Sequence, residues 1–285
     1  MSRGKRWLFV YIPGFLILLC LFLYEENNHI GITTYTVSSS ELPQGLDGYR
    51  IVHLSDLQSK MYPNDQYPVV SKVKRLKPDI IVMTGDMVDA GHYDEEATMV
   101  LMRGVTEIAP VYFAAGNHEY ASRTFPELEK KLTGLGIHVL RNERVRIKAG
   151  DGNISLIGVD DPIFNRQEDG DVDKMTAHLR EAIGGEVTED YSILLSHRPE
   201  LFHVYSDHSI DLSFAGHAHG GQFRLPLIGG VYSPGQGMWP ELSEGLHERD
   251  GSTLVINRGL GNSVFPQRLF NRPEIVLVEL ASPAF

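Results

Sequence analysis

The sequence predicts an α/β domain with antiparallel additions, and three observations carry that reading. Five short, mostly apolar runs, Ile51 to Leu54, Ile80 to Met83, Val111 to Ala115, Ile193 to Leu195 and Leu212 to Ala215, are bounded by polar or glycine residues, as buried strands are. Longer stretches with helical periodicity separate several of them. Between Val139 and Val159 the pattern turns hairpin-like, with Ala149-Gly150-Asp151-Gly152 as the turn. At 285 residues and 42% hydrophobic content, the chain is long enough to bury the core of one large domain with an extra segment.

That extra segment comes first. Arg3, Lys5 and Arg6 precede an apolar run from Trp7 to Tyr24, which as a helix extends about 27 Å, close to the hydrocarbon thickness of a bilayer. Pro13 and Gly14 are tolerated in such a helix. No small-x-small pair follows the run, and Leu19 stands before Cys20 where a lipoprotein cleavage site has a small residue, so an uncleaved signal anchor is expected. Positive residues before the run and Glu25-Glu26 after it orient the remainder outside the cytoplasm, giving a single-pass protein of the cell membrane. The expected organisation is a basic cytoplasmic tail over 1–6, a transmembrane anchor over 7–24, a linker and edge strand over 25–48, and the folded domain over 49–285.

Within the domain, Gln66 to Leu76, Glu95 to Ile108, Phe125 to Leu132 and Val172 to Ile183 carry helical periodicity, and Pro126 and Pro199 suit helix starts. The net charge of -11 opposes binding to a phosphate backbone, and no basic stripe offsets it, so nucleic acid is not an expected partner. A single cysteine, Cys20, excludes an internal disulfide framework and a cysteine-based zinc cluster. Any metal must be held by His, Asp, Glu, Asn or Gln.

Such side chains collect at the strand ends, where α/β sheets build their sites. Asp56 follows the first run; Gly85-Asp86 and Asp89 follow the second; Gly116-Asn117-His118-Glu119 follow the third; His197 follows the fourth. The fifth run leads into Gly216-His217-Ala218-His219-Gly220-Gly221, where glycines let backbone crowd an ion and two neutral imidazoles offer borderline ligands for Zn, Mn or Fe. Singly, Asp56 reads as a helix cap, Asn117 as a turn residue and His197 as a buried histidine. Five such segments in register read together as a metal site.

These residues resemble the calcineurin-like metallophosphoesterases, whose pattern of Asp-x-His, Gly-Asp-x-x-Asp, Gly-Asn-His-Asp/Glu, a lone His and Gly-His-x-His is matched by Asp56-Leu57-Gln58, Gly85 to Asp89, Gly116 to Glu119, His197 and Gly216 to His219. Gly220 to Pro226 and Asn257-Arg258-Gly259-Leu260-Gly261 also resemble a membrane-associated or exported bacterial branch. Gln58 departs from the pattern by standing where the family has histidine. The resemblance implies two mixed β-sheets packed as a sandwich flanked by helices, with two divalent metal ions (Mn, Fe or Zn). Asp56, Asp86 and His219 would hold the first ion, with Gln58 as a weak oxygen ligand; Asp86, Asn117, His197 and His217 would hold the second, Asp86 bridging. A hydroxide between two cations forms near neutral pH and attacks phosphorus while the metals neutralise the phosphoryl oxygens. His118 would stabilise the transition state or act as general acid, and Asp89 and Glu119 could orient His118 or the ligands. A glutamine carbonyl is a poorer partner than imidazole for borderline metals, so the first ion is expected to bind more weakly.

The other histidines, His53 among them, read as packed or solvated. Arg224, Arg258 and Asn262 sit in glycine-containing loops where they could meet a substrate phosphate, and surface structure explains them equally well. Trp239, Met238 and Phe265 read as core packing, with an apolar wall for a lipid as the alternative. Three functions follow: a membrane-anchored phosphoesterase acting on phosphate ester or pyrophosphate bonds of lipid-linked substrates; a general extracytoplasmic phosphodiesterase or phosphatase on soluble esters; and a degenerate, noncatalytic phosphate-binding protein, suggested by Gln58. The presence of Asn117, His118, His217 and His219 favours an enzyme.

Overall fold

In a computed structural model, residues 3–39, 42–150, 152–164, 170–184, 190–263 and 265–282 are described, with side chains from Tyr11 onward except that of Gln44. Helix α1 (Arg3–Asn28) leads into strand β1 (Gly31–Ser38) and β2 (Arg50–Leu54), then α2 (Tyr67–Leu76), β3 (Ile80–Met83), α3 (Glu95–Thr106), β4 (Val111–Phe113), α4 (Asn117–Ala121), α5 (Phe125–Gly134) and β5 (His138–Val139). The second half runs β6 (Glu143–Ala149), β7 (Gly152–Gly158), α6 (Asp171–Ile183), β8 (Tyr191–Leu195), α7 (Phe202–Asp207) and β9 (Leu212–Ala215). Two small antiparallel pairs follow, β10 (Arg224–Leu225) with β11 (Gly229–Gly230) and β12 (Tyr232–Ser233) with β13 (Gly237–Met238). Strands β14 (Gly245–Arg249), β15 (Ser252–Ile256) and β16 (Glu274–Ala281) close the domain.

Two six-stranded mixed sheets result, ordered β1-β16-β2-β3-β4-β5 and β14-β15-β9-β8-β7-β6. In the first, β16 runs antiparallel to β2 and the other pairs are parallel. In the second, β15, β9, β8 and β7 are mutually parallel, and the outer strands β14 and β6 are antiparallel. Alternation along each strand divides the core, because successive side chains point to opposite faces. Ile80 and Val82 of β3 join Ile193, Leu195, Leu212 and Phe214 in one cluster between the sheets. Ile81 and Met83 pack with Val69, Leu101 and Leu132 of the helices over the first sheet, while Leu194 packs with Leu179 and Tyr205 over the second. The strands read from apolar runs are therefore buried on both faces. Asp94 caps α3 by accepting from Glu96 N and Ala97 N, and Pro126 sits in the first turn of α5.

At the N-terminus one expectation is not met. Among the described residues no helix is long and apolar enough to cross a membrane, so the transmembrane anchor expected over 7–24 is not found there. The side chains described for α1 begin at Tyr11; Tyr11, Ile12, Phe15, Leu16, Ile17, Leu18, Leu21 and Tyr24 are exposed. The end of α1 is tied to the loop before β16: Phe22 lies 5.5 Å from Phe270 between ring centroids, Arg272 pairs with Glu26 at 2.8 Å, and Arg268 N donates to Asn27 Oδ1 at 2.7 Å. Trp239, Met238 and Phe265 correct the core-packing expectation, since all three are exposed, as are Leu227, Ile228 and Phe270. Met238 ends β13 and the others lie in loops, all outside the two six-stranded sheets.

Candidate metal centre

The carboxyl ends of β2, β3, β4, β8 and β9 converge, and the segments that follow them turn sharply. Asp56, Gln58, Asp86, His217 and His219 all adopt left-handed backbone, with φ of 51°, 51°, 53°, 63° and 48°. Non-glycine residues held there cost energy that the surroundings must offset, and such positions cluster at functional sites. Loop-to-loop hydrogen bonds supply the constraint: Asp56 N donates to Gly85 O at 3.0 Å, Gln58 N to Asp86 O at 2.9 Å and Gly216 N to His197 O at 3.2 Å. Gly85, at φ 87°, lies so close to the backbone of Gly116 that any side chain would collide with it, and a Cβ on Gly216 would strike Ser55 and Asp56.

One oxygen or nitrogen each from Asp86, His197 and His217 lies within 4.8 Å of the others, a group able to hold a metal ion. His197 Nε2 stands 3.2 Å from Asp86 Oδ2 and 3.1 Å from His217 Nδ1. His197 donates its Nδ1–H to Thr84 O at 2.6 Å, which leaves Nε2 to face the group. Across Asp86, His219 Nε2 approaches Asp56 Oδ1 at 3.3 Å, and Gln58 Nε2 donates to Asp86 Oδ2 at 3.0 Å. Gln58 Oε1, Asn117 Oδ1, His217 Nε2 and His219 Nδ1 are buried with no hydrogen-bond partner among the described residues. Orphaned buried acceptors are costly, and two carbonyl oxygens beside a carboxylate and imidazoles form the donor set of a divalent cation. The residues present fit a metal.

The electrostatics lead to the same demand. Burial opposes ionisation of Asp86, yet His197 overrides it and holds the carboxyl well below its usual range. Burial also opposes charge on His197, but Asp86 and then Asp56 push its pKa up to about 10. Burial pushes the Asp56 carboxyl up to about 7, against the pull of His197. His219 is lowered to about 3 and His217 falls well below its ordinary value, both chiefly through burial. One proton on His197 thus offsets charge that a divalent cation would offset more completely.

His118, on α4, is partly exposed and has its Nε2 3.9 Å from Asp86 Oδ2. Ala90 N donates to His118 Nδ1 at 3.0 Å, so a neutral His118 carries its proton on Nε2, toward Asp86. Glu119 is fully buried and accepts from Asp86 N at 2.7 Å, Met87 N at 2.8 Å and Gly116 N at 2.8 Å, binding two ligand loops together. Asp89 Oδ1 accepts from Gly91 N at 2.7 Å and His92 N at 3.3 Å, and lies 3.6 Å from His118 Nδ1. Arg224 donates to Gly220 O at 3.0 Å and pairs with Glu244; Arg258 pairs with Glu274 at 2.8 Å and stands 3.5 Å from Glu244. Asn262 donates to Pro266 O at 2.9 Å. His53 is packed, as expected, with Nε2 on Thr84 Oγ1 at 2.8 Å.

Two nearby groups escape sequence reading. Glu200, in the turn after β8, has Oε1 4.0 Å from His217 Nε2. Its place three residues after His197 is visible in the sequence, but its contact with His217 is not. Arg268 is buried and donates to the carbonyls of Gly261, Asn271, Arg258 and Gly259, fastening the loops beside Asp56 and His219; nothing local distinguishes it from a surface arginine.

Known proteins are similar to this chain over most of its length. The family model described as calcineurin-like phosphoesterase matches residues 49–221. The uncharacterized metallophosphoesterase YkuE of Bacillus subtilis is 30% identical over 265 residues, covering 91% of this chain and 88% of that one. A Bos taurus protein named transmembrane protein with metallophosphoesterase domain is 30% identical over 282 residues, covering 88% of this chain and 57% of that one. Among solved structures, a dimetal phosphatase from Danio rerio aligns with a TM-score of 0.44 at 14% identity, over 75% of this chain and 88% of that one.

Proposed function

Since the chain belongs to the calcineurin-like phosphoesterase family and is a phosphoester hydrolase, we propose that it holds two divalent ions, Mn, Fe or Zn, and cleaves a phosphate ester or pyrophosphate bond in a substrate presented at a membrane. The observation that carries the metal reading is the convergence of Asp86, His197 and His217 beside the orphaned carbonyl oxygens of Gln58 and Asn117. Asp56, Gln58, Asp86 and His219 form one ligand set; Asp86, Asn117, His197 and His217 form the other. When bound, divalent ions there polarise the phosphoryl group and ease the ionisation of an attacking water. The chain's own residues do the rest. His118 offers its Nε2 proton to the departing oxygen, Glu119 keeps the loops of Asp86 and Asn117 in place, and Thr84 O holds His197 in the tautomer that aims Nε2 inward.

The membrane part of the proposal is supported by apolar surface. The described face of α1 is exposed and apolar, and Phe22 meets Phe270. Leu225, Leu227, Ile228 and Phe270 are also exposed, around a cleft of about 390 Å³ that Arg224 lines as well. Such an expanse favours a lipid phase over water. The attachment proposed is through the exposed apolar side chains of α1 from Tyr11 to Tyr24, with the domain outside the cytoplasm and the substrate lipid-linked. The test is a phosphate-ester panel, soluble esters beside detergent-solubilised phosphorylated and pyrophosphate-linked lipids, run after dialysis against chelator and after returning Mn, Fe or Zn. Hydrolysis is expected only with metal and faster on the lipids. Metal-independent hydrolysis sinks the metal reading, and equal rates on soluble esters favour the soluble-ester alternative.

A further inference from the structure

His197 and His217 meet nitrogen to nitrogen, Nε2 to Nδ1, at 3.1 Å. At that distance the two nitrogens share either a proton or a cation, and with a metal bound in place of the proton these are the atoms that would face it. Each ring then presents its other nitrogen outward as an N–H donor. That of His197 is satisfied by Thr84 O at 2.6 Å. That of His217, Nε2, has no hydrogen-bond partner among the described residues, although it is buried. The group facing it is Glu200, whose Oε1 stands 4.0 Å away and whose Oε2 is likewise buried without a partner.

The pocket around Glu200 is shaped to keep it there. Gly235, at φ 75°, packs so closely on the carboxylate that a Cβ would overlap Oε1. Arg198 Nη1 lies 3.5 Å from Oε1 on the other side, yet its Nε and Nη2 are already committed to Asp161 at 2.6 Å and 3.0 Å. Glu200 is therefore not the principal partner of Arg198.

We propose that Glu200 is a positioning residue for the metal: it accepts the Nε2–H of His217, so that Glu200, His217 and the ion form a carboxylate–histidine–metal line. The inference rests on the metal reading above. A closing movement of about 1 Å brings Oε1 to hydrogen-bond length. The bond fixes the His217 tautomer with its lone pair on Nδ1, sets the ring plane and raises the basicity of the ligand nitrogen. It gives an acceptor to the buried His217 Nε2, which otherwise has no partner among the described residues.

The experiment compares Zn²⁺ binding to wild type, Glu200→Ala and Glu200→Gln in the full chain by chelator competition, with the His217 imidazole N–H followed by NMR in Zn-loaded protein. Because Arg198 keeps Asp161, Glu200→Ala leaves no charge stranded and should fold, which its chelator-treated melting temperature checks. Affinity at one of two Zn²⁺ sites should fall about 10- to 100-fold in Glu200→Ala, with the other site unchanged. Glu200→Gln, whose carbonyl still accepts, should recover part of that loss. A protected His217 N–H should be present in wild type and absent from Glu200→Ala. Superimposable Zn²⁺ curves for wild type and a folded Glu200→Ala overturn the inference while leaving the metal site standing; a wild type that binds no Zn²⁺ overturns both.

Discussion

Gln58 spends one amide N–H on Asp86 Oδ2 and leaves its carbonyl Oε1 buried without a partner among the described residues. An imidazole in its place offers a stronger donor to a borderline metal, so Gln58→His should raise metal content after dialysis and lower the metal concentration for half-maximal rate. A wild type that keeps two ions through dialysis, with Gln58→His changing neither quantity, would show that Gln58 is no weak point. His118 behaves differently, because Ala90 N occupies its Nδ1 and its proton lies on Nε2. His118→Ala should keep its metal and lose about 10²- to 10⁴-fold in rate, whereas Asp86→Ala and His217→Ala should lose metal and rate together. Metal analysis beside steady-state rates decides it, and a His118→Ala protein emptied of metal would count against the assignment. The ligand candidates were legible because carboxylates and imidazoles at strand ends announce themselves by residue type. Glu200 was not, since its meaning depends on a contact with His217 across a turn. Nor could the pairing of Arg224 and Arg258 with Glu244 and Glu274 be read, because loops fold those partners together without any local pattern.

At the scale of elements, the five-residue helix α4 is what fixes two ligand loops against each other. Glu119 in its first turn accepts three backbone N–H groups at 2.7 to 2.8 Å, from Asp86, Met87 and Gly116. With Val88 N, which donates more weakly at 3.3 Å, removing that carboxylate strands four donors, each worth about 1–3 kcal/mol when left unmet. Glu119→Ala should therefore destabilise the fold by at least about 3 kcal/mol and weaken metal binding; urea unfolding of the chelator-treated protein measures the first directly. A loss under about 1 kcal/mol would mean that water replaces the carboxylate and that the loops are held by something else. Strands such as β3 and β9 were legible because burial on both faces forces a continuous apolar run. The run from Val111 ends two residues early as a strand, at Phe113, because Ala114 and Ala115 leave the strand to carry Gly116 and Asn117 into the site. Strand β16 was missed although it lies beside β2: its pairing spans most of the chain, and it delivers no ligand to draw notice.

Over the whole molecule, the centre joins two halves that otherwise meet through apolar packing. Asp56, Asp86 and Asn117 follow strands of the first sheet, while His197, His217 and His219 follow strands of the second. An ion held by both sets must stabilise the entire fold, since binding to the native state alone adds about 2.7 kcal/mol at 100 times Kd. Its effect should depend on pH through His197. The folded pKa of His197 is raised from 6.5 to about 10, so its proton contributes stability that is fully present below 6.5 and lost as pH rises through 10. A divalent cation replaces that proton and must displace it, at greatest cost where His197 is fully protonated. The stabilisation gained on adding Mn²⁺ or Zn²⁺ to chelator-treated protein should accordingly widen between pH 7 and pH 9. Taking the difference between loaded and chelated protein cancels groups that titrate alike in both, such as Lys60, whose pKa burial lowers to about 7. Thermal or denaturant unfolding at fixed free metal supplies the measurement. A gap that stays constant or narrows over that window would show that His197 gives up no proton to the ion, and would remove His197 from the ligand set.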